Sequence, residues 1–301
     1  MKNQHCLLKF IISILSIGLM MGCNSEKNID VQGHRGCRGL MPENTLEAFT
    51  TAMDLGVETL ELDIVISKDR KVVVSHEPYM NPVICLSPEG MELPEDSKSD
   101  YNLYEMDYKQ IKAFDCGTKL HPTYPNQEKF KTYKPLLSEV FELIKAKASS
   151  VKVNIEIKSA PSYYDVSTPQ PKAYVALVLE VIEAHQMVNR VNLQSFDTAI
   201  LEAVKVQAPQ MPMALLVDGN EDIDAKLEQL TFQPEIISPY FKLLSAENVS
   251  AYQDQGYKVI PWTVNSKADM AQMQAYQVDG IITDYPDVLI NLLQSKEARS
   301  Q

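Results

Sequence analysis

Positive charge is what this sequence is short of. Its 28 lysines and arginines stand against 40 aspartates and glutamates, giving a formal net charge of -12 at pH 7. That balance has the wrong sign for nucleic acid or for an anionic membrane surface, so both are excluded as bulk electrostatic partners. An anionic substrate would need a positive site built locally. Cysteine is sparse too, five in 301 residues. There is no CxxC pair and no Cys/His cluster, which argues against a structural zinc site. The apolar run from Phe10 to Met21 is too short to cross a bilayer, which takes about 20 residues. Tryptophan occurs once, at Trp262.

The remainder is ordinary globular composition, 45% hydrophobic and 23% charged, enough for one large domain or two small ones. Lys2 and Lys9 with the run Phe10 to Met21 read as a secretory signal. The run ends LMMGC, Leu19 to Cys23, which resembles a bacterial lipoprotein signal. That resemblance implies lipid on Cys23 at residue 1 of the mature chain, a polar tether over residues 24–30, and an exported body held at a membrane by its N-terminal lipid. A buried helix with an incidental cysteine is the alternative. Cys6 would leave with the signal, so Cys37, Cys85 and Cys116 remain for the folded body. Export permits disulfides, and Cys85 and Cys116 are candidates to pair.

The body of the chain, for which a barrel over residues 31–301 is expected, alternates. Strand-like runs at residues 30–33, 58–66, 72–75, 151–157, 191–194, 213–217, 236–238, 259–264 and 280–283 are separated by helix-like segments at 45–55, 137–147, 173–186, 199–207, 223–230, 246–255 and 267–277. Such alternation predicts a parallel sheet, either open and doubly wound or closed as a barrel. The strands help to choose. In 58–66, Thr59, Glu61, Asp63 and Val65 share one face, and Leu60, Leu62, Ile64 and Ile66 the other. Asn154, Glu156 and Lys158 alternate likewise with Val153, Ile155 and Ile157. An open parallel sheet covered on both sides reads as continuous apolar runs. A barrel with polar residues pointing inward near its functional end fits better, the alternative being a sheet with one solvated face.

Glu61 and Asp63, two residues apart on one strand, start roughly 6 to 7 Å from each other, a repulsion of about 2 to 3 kcal/mol at an effective dielectric near 20. Glu156 adds a third carboxylate from a later strand end. Three oxygen donors without sulfur or histidine favour a hard cation such as Ca²⁺ or Mg²⁺. The alternative is a salt-bridge network with Arg35, Arg38 and Lys158. The first strand leads into GHRGCRGLMPENT, Gly33 to Thr45. Its glycines suit a sharp turn close to a ligand, and Arg35 offers a planar fork for phosphate. Asn44 with Glu47 looks like a helix N-cap pair. His34, and His76 after the run VVVS, would reach the same barrel end and suit acid and base roles in phosphoester cleavage.

Taken in order, these pieces resemble the glycerophosphodiester phosphodiesterase family. They are HRG and PENT at His34 to Gly36 and Pro42 to Thr45, ExD at Glu61 to Asp63, and the strand-end His76. ExK at Glu156 to Lys158, QSF at Gln194 to Phe196, WTVN at Trp262 to Asn265 and DGIITDYP at Asp279 to Pro286 complete the set. The resemblance implies a TIM-type (β/α)8 barrel with a small insertion after the second or third barrel strand, about residues 77–134. It implies a Ca²⁺ or Mg²⁺ ion on Glu61, Asp63 and Glu156, His34 and His76 as acid and base, and Arg35 and Lys158 on phosphate. The substrate would be a small glycerophosphodiester, cleaved to glycerol 3-phosphate and an alcohol by a neighbouring glycerol hydroxyl or by water. Trp262, at a strand end, is placed at an apolar wall for substrate or in the core.

The family usually has Asp after the second histidine, where this chain has Glu77. His121 and His185 read as structural residues. A related phospholipase of the sphingomyelinase D or phosphatidylinositol-specific type, a binding lipoprotein without catalysis and a structural lipoprotein are the competing readings.

Overall fold

The computed structural model describes residues 28–97 and 100–300, with side chains described to residue 295. Cys23 and the signal segment lie outside the described residues. Among the described residues no helix is long and apolar enough to cross a membrane.

The chain runs β1 (Asp30–Gly33), α1 (Leu46–Leu55), β2 (Thr59–Ile66), β3 (Val72–Val74), α2 (Tyr108–Ile111), α3 (Leu137–Ala146), β4 (Lys152–Ile157) and α4 (Pro171–Ala184). It continues with β5 (Val191–Ser195), α5 (Thr198–Gln207), β6 (Met213–Val217), α6 (Ile223–Leu227), β7 (Ile236–Pro239) and α7 (Ala246–Asp254). β8 (Lys258–Val259), α8 (Lys267–Ala275), β9 (Gly280–Thr283) and α9 (Pro286–Ser300) complete it. Parallel pairing gives the order β8-β7-β6-β5-β4-β2-β1-β9, with β3 antiparallel on β2. The ends meet through Asp279 N to Val259 O at 2.9 Å, Ile282 N to Pro261 O at 3.0 Å and Val264 N to Ile282 O at 3.0 Å. Eight parallel strands surrounded by helices therefore form a TIM-type barrel, as the alternation predicts.

β8 is shorter than the expected run 259–264 because Pro261 has no N–H to give the ladder. Trp262 N still reaches Pro239 O at 3.1 Å, so the segment keeps its course along β7. Ile29, expected in the tether, is 3% exposed and belongs to the core. The folded body therefore starts before residue 31, since an isoleucine is more stable buried than in a solvated linker. The helix α9 is an addition to the expected elements, and Pro286 at its first position is the start signal that marks it.

The alternation in β2 has the expected consequence. Leu60, Leu62 and Ile64 turn outward into the core that includes Ala48, Phe49 and Ala52 of α1. Thr59, Glu61 and Asp63 turn inward and are buried. Val65, expected with them, instead packs with Val73 beneath the insertion. The interior is divided. Gln32, Asn154 and Gln194 form a hydrogen-bonded set on the β1 to β5 side, and Ala214, Ile236, Ile260 and Ile282 form an apolar cluster elsewhere in the barrel.

The insertion lies between β3 and α3 and has its own small core, including Met80, Leu103, Ile111 and Phe114, closed by a Cys85–Cys116 disulfide. Cys37 is free and buried.

Candidate active site

The turn after β1 is held by close packing. Gly36 adopts φ +86°, and a Cβ there would lie 2.7 Å from the Ala48 carbonyl carbon of α1. Arg35 takes the left-handed φ of 49°, uncommon for a residue with a side chain, and its backbone N–H donates to Glu61 Oε2 at 3.0 Å. The N-cap of α1 is Thr45, whose hydroxyl accepts from Ala48 N at 3.1 Å. Asn44 is therefore not the cap. Its φ is 58°, and its amide donates to Asp63 Oδ2 at 2.9 Å, so PENT supplies a site residue as well as the helix start.

Glu61, Asp63 and Glu156 converge at the C-terminal end of the barrel, each offering one carboxylate oxygen within 4.8 Å of the others. Gln194 donates to Glu61 Oε1 at 2.9 Å and accepts from Asn154, fixing that carboxylate from within the barrel. Arg35 lies over Asp63, Nε to Oδ2 3.2 Å, and donates to Glu43 Oε1 at 2.8 Å. Lys158 Nζ lies 2.7 Å from Glu156 Oε1 and 4.0 Å from Asp63 Oδ1. Part of the alternative salt-bridge network is thus real. It does not balance the charge, because Arg35 is shared with Glu43 and Asp63 Oδ1 is buried without a hydrogen-bond partner.

The electrostatics agree. Burial, reinforced by Asp63 and Glu156, raises the Glu61 carboxyl well above the usual range. Burial also raises Glu156, against the pull of Lys158. For Asp63 burial is outweighed by Arg35, His76 and Lys158, which hold it well below its ordinary value. Surplus negative charge, an orphaned carboxylate oxygen and an all-oxygen donor set fit a divalent cation.

Both sequence-identified histidines reach this centre. His34 Nδ1 lies 2.6 Å from Asp284 Oδ1, and its Nε2 is 3.9 Å from Glu61 Oε2. Burial lowers the His34 pKa to about 4, although Asp284 opposes the shift. His76 Nδ1 lies 2.8 Å from Glu77 Oε1, so the longer Glu in place of Asp still orients the ring. Burial disfavours the Glu77 charge, but His76 and Lys134 bring its pKa to about 2. Lys134, at the end of the insertion, donates to Ser75 Oγ at 2.9 Å.

One cavity of about 350 Å³ collects His34, Arg35, His76, Lys158 and two of the acidic residues, Glu61 and Glu156. Trp262 lines it together with Phe196, their rings edge to face at 5.4 Å. His121 contacts Tyr124 ring to ring at 4.7 Å outside the cavity lining, and His185 caps α4, so neither is placed in the site.

Several partners were not assigned roles from sequence. Asp284 accepts from Arg38 Nε at 3.0 Å, from Tyr124 Oη at 2.7 Å and from Asn265 Nδ2 at 2.7 Å. Asp284 and Asn265 lie inside DGIITDYP and WTVN, and Glu43 inside PENT, so motif membership was the available signal. Asp218 and Leu216 at the end of β6 lie in no quoted motif.

The family model for the glycerophosphoryl diester phosphodiesterase family matches residues 34–288. A protein of Caldanaerobacter subterraneus named glycerophosphodiester phosphodiesterase is 34% identical over 264 residues, 88% of this chain and 97% of that protein. A Bacillus altitudinis protein of the same name is 31% identical over 86% of this chain and 96% of its own length. Among solved structures, a Silicibacter pomeroyi protein assigned as a glycerophosphoryl diester phosphodiesterase superposes with a TM-score of 0.82 at 30% identity, over 90% of this chain and 94% of that one. An Oleispira antarctica phosphodiesterase, solved with the product sn-glycerol-3-phosphate, has the same fold at a TM-score of 0.70 and 22% identity, over 88% of this chain and 96% of that one. With its barrel, its site and its sequence in agreement over nearly the whole described length, the chain belongs to the glycerophosphoryl diester phosphodiesterase family.

Proposed function

We propose that the chain hydrolyses small glycerophosphodiesters to glycerol 3-phosphate and an alcohol, using a divalent cation, Ca²⁺ or Mg²⁺, held by Glu61, Asp63 and Glu156. The observation that carries this reading is the meeting, in one cavity, of two carboxylate-braced histidines with an undercompensated acidic cluster. When bound, the cation supplies charge stabilisation at the phosphoryl oxygens. Arg35 and Lys158 bind the nonbridging oxygens and offset the charge that develops as the bond breaks. His34 is the base: its Nδ1 is committed to Asp284, and the lowered pKa leaves Nε2 free to accept the proton of the attacking oxygen, which is either water, giving glycerol 3-phosphate directly, or the neighbouring glycerol hydroxyl, giving a cyclic phosphate that water then opens to glycerol 3-phosphate. His76, oriented by Glu77, is the acid that protonates the leaving alcohol. Trp262 and Phe196 form an apolar wall for the substrate.

The test is release of glycerol 3-phosphate by the full-length chain from a panel of glycerophosphodiesters, with Ca²⁺, Mg²⁺ or chelator present and Glu61→Ala as control. Cation-dependent release that the control loses supports the reading. No release from folded protein in either metal overturns it.

Export and membrane anchoring through lipidated Cys23 belong to the same reading. They are supported by LMMGC at Leu19 to Cys23 and by the Cys85–Cys116 disulfide, which an oxidising compartment sustains. Mass spectrometry of the mature N-terminus decides: an unmodified Cys23, or a chain beginning elsewhere, rejects the anchor.

A further inference from the structure

One side of the barrel interior is filled by side-chain amides, where such barrels usually pack branched hydrocarbon. A buried amide costs stability unless its donors and acceptor are bonded, so this set calls for a reason beyond packing. Gln32, Asn154 and Gln194 are each at most 2% exposed. They do not close on themselves. Gln32 Nε2 donates to Asp30 Oδ2 at 3.0 Å, and Gln194 Nε2 donates to Glu61 Oε1 at 2.9 Å. Between them Asn154 Nδ2 donates to Gln32 Oε1 at 2.9 Å and to Gln194 Oε1 at 3.1 Å. Asp30 opens β1 and lines a cavity with Lys152 and Lys258, the first residues of β4 and β8, at the end of the barrel opposite the acidic cluster. One line of hydrogen bonds thus crosses the barrel from end to end.

The direction of that line is forced. A carboxylate only accepts, so each glutamine turns its amide nitrogen towards its own carboxylate, Asp30 or Glu61, and its oxygen inward. Asn154 then faces two acceptors and spends both of its amide protons on them, which leaves Oδ1 to accept from Asn192 Nδ2 at 2.6 Å. Any other assignment of these amides sets oxygen against oxygen. For Glu61 the consequence is a fixed plane. Gln194 holds Oε1 and the Arg35 backbone N–H holds Oε2 at 3.0 Å, so one of its two braces is a donor whose orientation is decided at Asn154.

We propose that Asn154 is a positioning residue for the Glu61 carboxylate, acting through Gln194, and that Asp30 is the far anchor of the same relay. This deepens the hydrolytic reading and rests on it for the cation that Glu61 binds. The direction of the relay is testable without one.

Asn154→Asp reverses the centre of the relay at nearly constant shape. A carboxylate there gives no proton, so the glutamines must turn, and Gln194 then sets its oxygen against Glu61. Asp30→Ala releases the far end from a half-buried position and keeps the proposal testable if the first variant does not fold. Asn192→Ala is the control, because it removes a hydrogen bond from the same set while leaving both Asn154 protons committed.

Chelator-treated full-length protein and the three variants are titrated with Mg²⁺ and with Ca²⁺ in a calorimeter. Mg²⁺ demands a near-ideal octahedron and Ca²⁺ tolerates irregular ligands, so a loosened Glu61 should cost Mg²⁺ more. The Mg²⁺ Kd should rise about ten-fold or more in Asn154→Asp and about three-fold in Asp30→Ala, with a smaller rise for Ca²⁺, and neither Kd should move in Asn192→Ala. A merely structural role would lower Tm in all three without changing the ratio of the two affinities. In cation-free protein the Gln194 side-chain amide protons, followed by NMR, should be protected from solvent exchange, and Asn154→Asp should abolish that protection. An unchanged Mg²⁺ Kd in Asn154→Asp or Asp30→Ala, an equal rise in Asn192→Ala, or Gln194 protection that survives in Asn154→Asp would each overturn the proposal. If the parent binds neither cation and Asn154→Asp still abolishes the protection, the cation reading fails and the relay stands. If the variants bind cations as the parent does, only the relay fails.

Discussion

Tyr124 in the insertion donates its hydroxyl to Asp284 Oδ2 at 2.7 Å, while the other oxygen of that carboxylate holds His34 Nδ1 at 2.6 Å. A segment outside the barrel thereby helps to set the orientation of the proposed base. Asp284 is fully buried, and burial resists its charge, but His34 and Arg38 keep it ionised far below the usual aspartate range. Asp284→Asn preserves the shape and removes the charge that selects the His34 tautomer. A loss in kcat of about 10²-fold or more is expected, with KM changed much less. Tyr124→Phe leaves Arg38 and Asn265 in place, so its loss should be about three- to ten-fold. Steady-state kinetics on both variants separates the two, and an unchanged kcat in Asp284→Asn removes it from the positioning role.

Cation binding should appear as stability, since the acidic cluster exists only in the folded chain. A ligand at about 100 times its Kd adds about 2.7 kcal/mol, which in a domain of this size raises Tm by on the order of 5 °C. Ca²⁺ or Mg²⁺ added to chelator-treated protein should give such a shift. Asp63→Asn, which removes the charge of the carboxylate whose Oδ1 is buried without a hydrogen-bond partner, should lose the shift while remaining folded. A full shift in that variant places the cation elsewhere.

The Cys85–Cys116 bridge spans a sequence separation of 31 residues, for which loop-closure entropy predicts about 3 to 4 kcal/mol. The insertion has only a small core, so reduction should loosen it ahead of the barrel. Limited proteolysis under reductant should cut within residues 77–134 first, and activity should fall in parallel as Tyr124 releases Asp284. Simultaneous loss of barrel and insertion would mean that the two unfold as one unit.

The sequence was most readable where period and chemistry coincided. Two-residue alternation puts Thr59, Glu61, Asp63 and Val65 on one face, and the barrel places the first three inside with Glu156 nearby, while Val65 packs beneath the insertion. Asn44 carries a true local capping signal, Asn followed by Glu three residues later, and yet it does not cap. Thr45 wins the cap here, and Asn44 is drawn to Asp63 by a long-range hydrogen bond that no local pattern encodes. The role of Asp284 is not legible from its place in DGIITDYP, since its partners His34, Arg38, Tyr124 and Asn265 are brought together only by barrel closure. Asp218 had no motif at all. Its meaning depends on which strand ends share a cavity.

Glu139 on α3 fastens the insertion to the barrel and gives a dependence on pH. Its Oε2 accepts from Leu136 N at 2.8 Å and from Tyr108 Oη at 2.8 Å; its Oε1 accepts from Lys112 Nζ at 2.9 Å and Tyr133 Oη at 3.0 Å. Burial alone would raise its pKa, but these donors outweigh it and hold the carboxyl below its ordinary value. A folded pKa below the unfolded one, about 4.3, means stabilisation that is fully present above that value and lost as pH falls through the folded one. Glu139→Gln should therefore be about 1 to 2 kcal/mol less stable than the parent at neutral pH. The gap should close as the solution is acidified below about pH 4, when the parent carboxyl also takes a proton. Urea unfolding of both proteins across that range measures it directly. A gap that widened on acidification would show that the carboxylate does not hold the insertion through its charge.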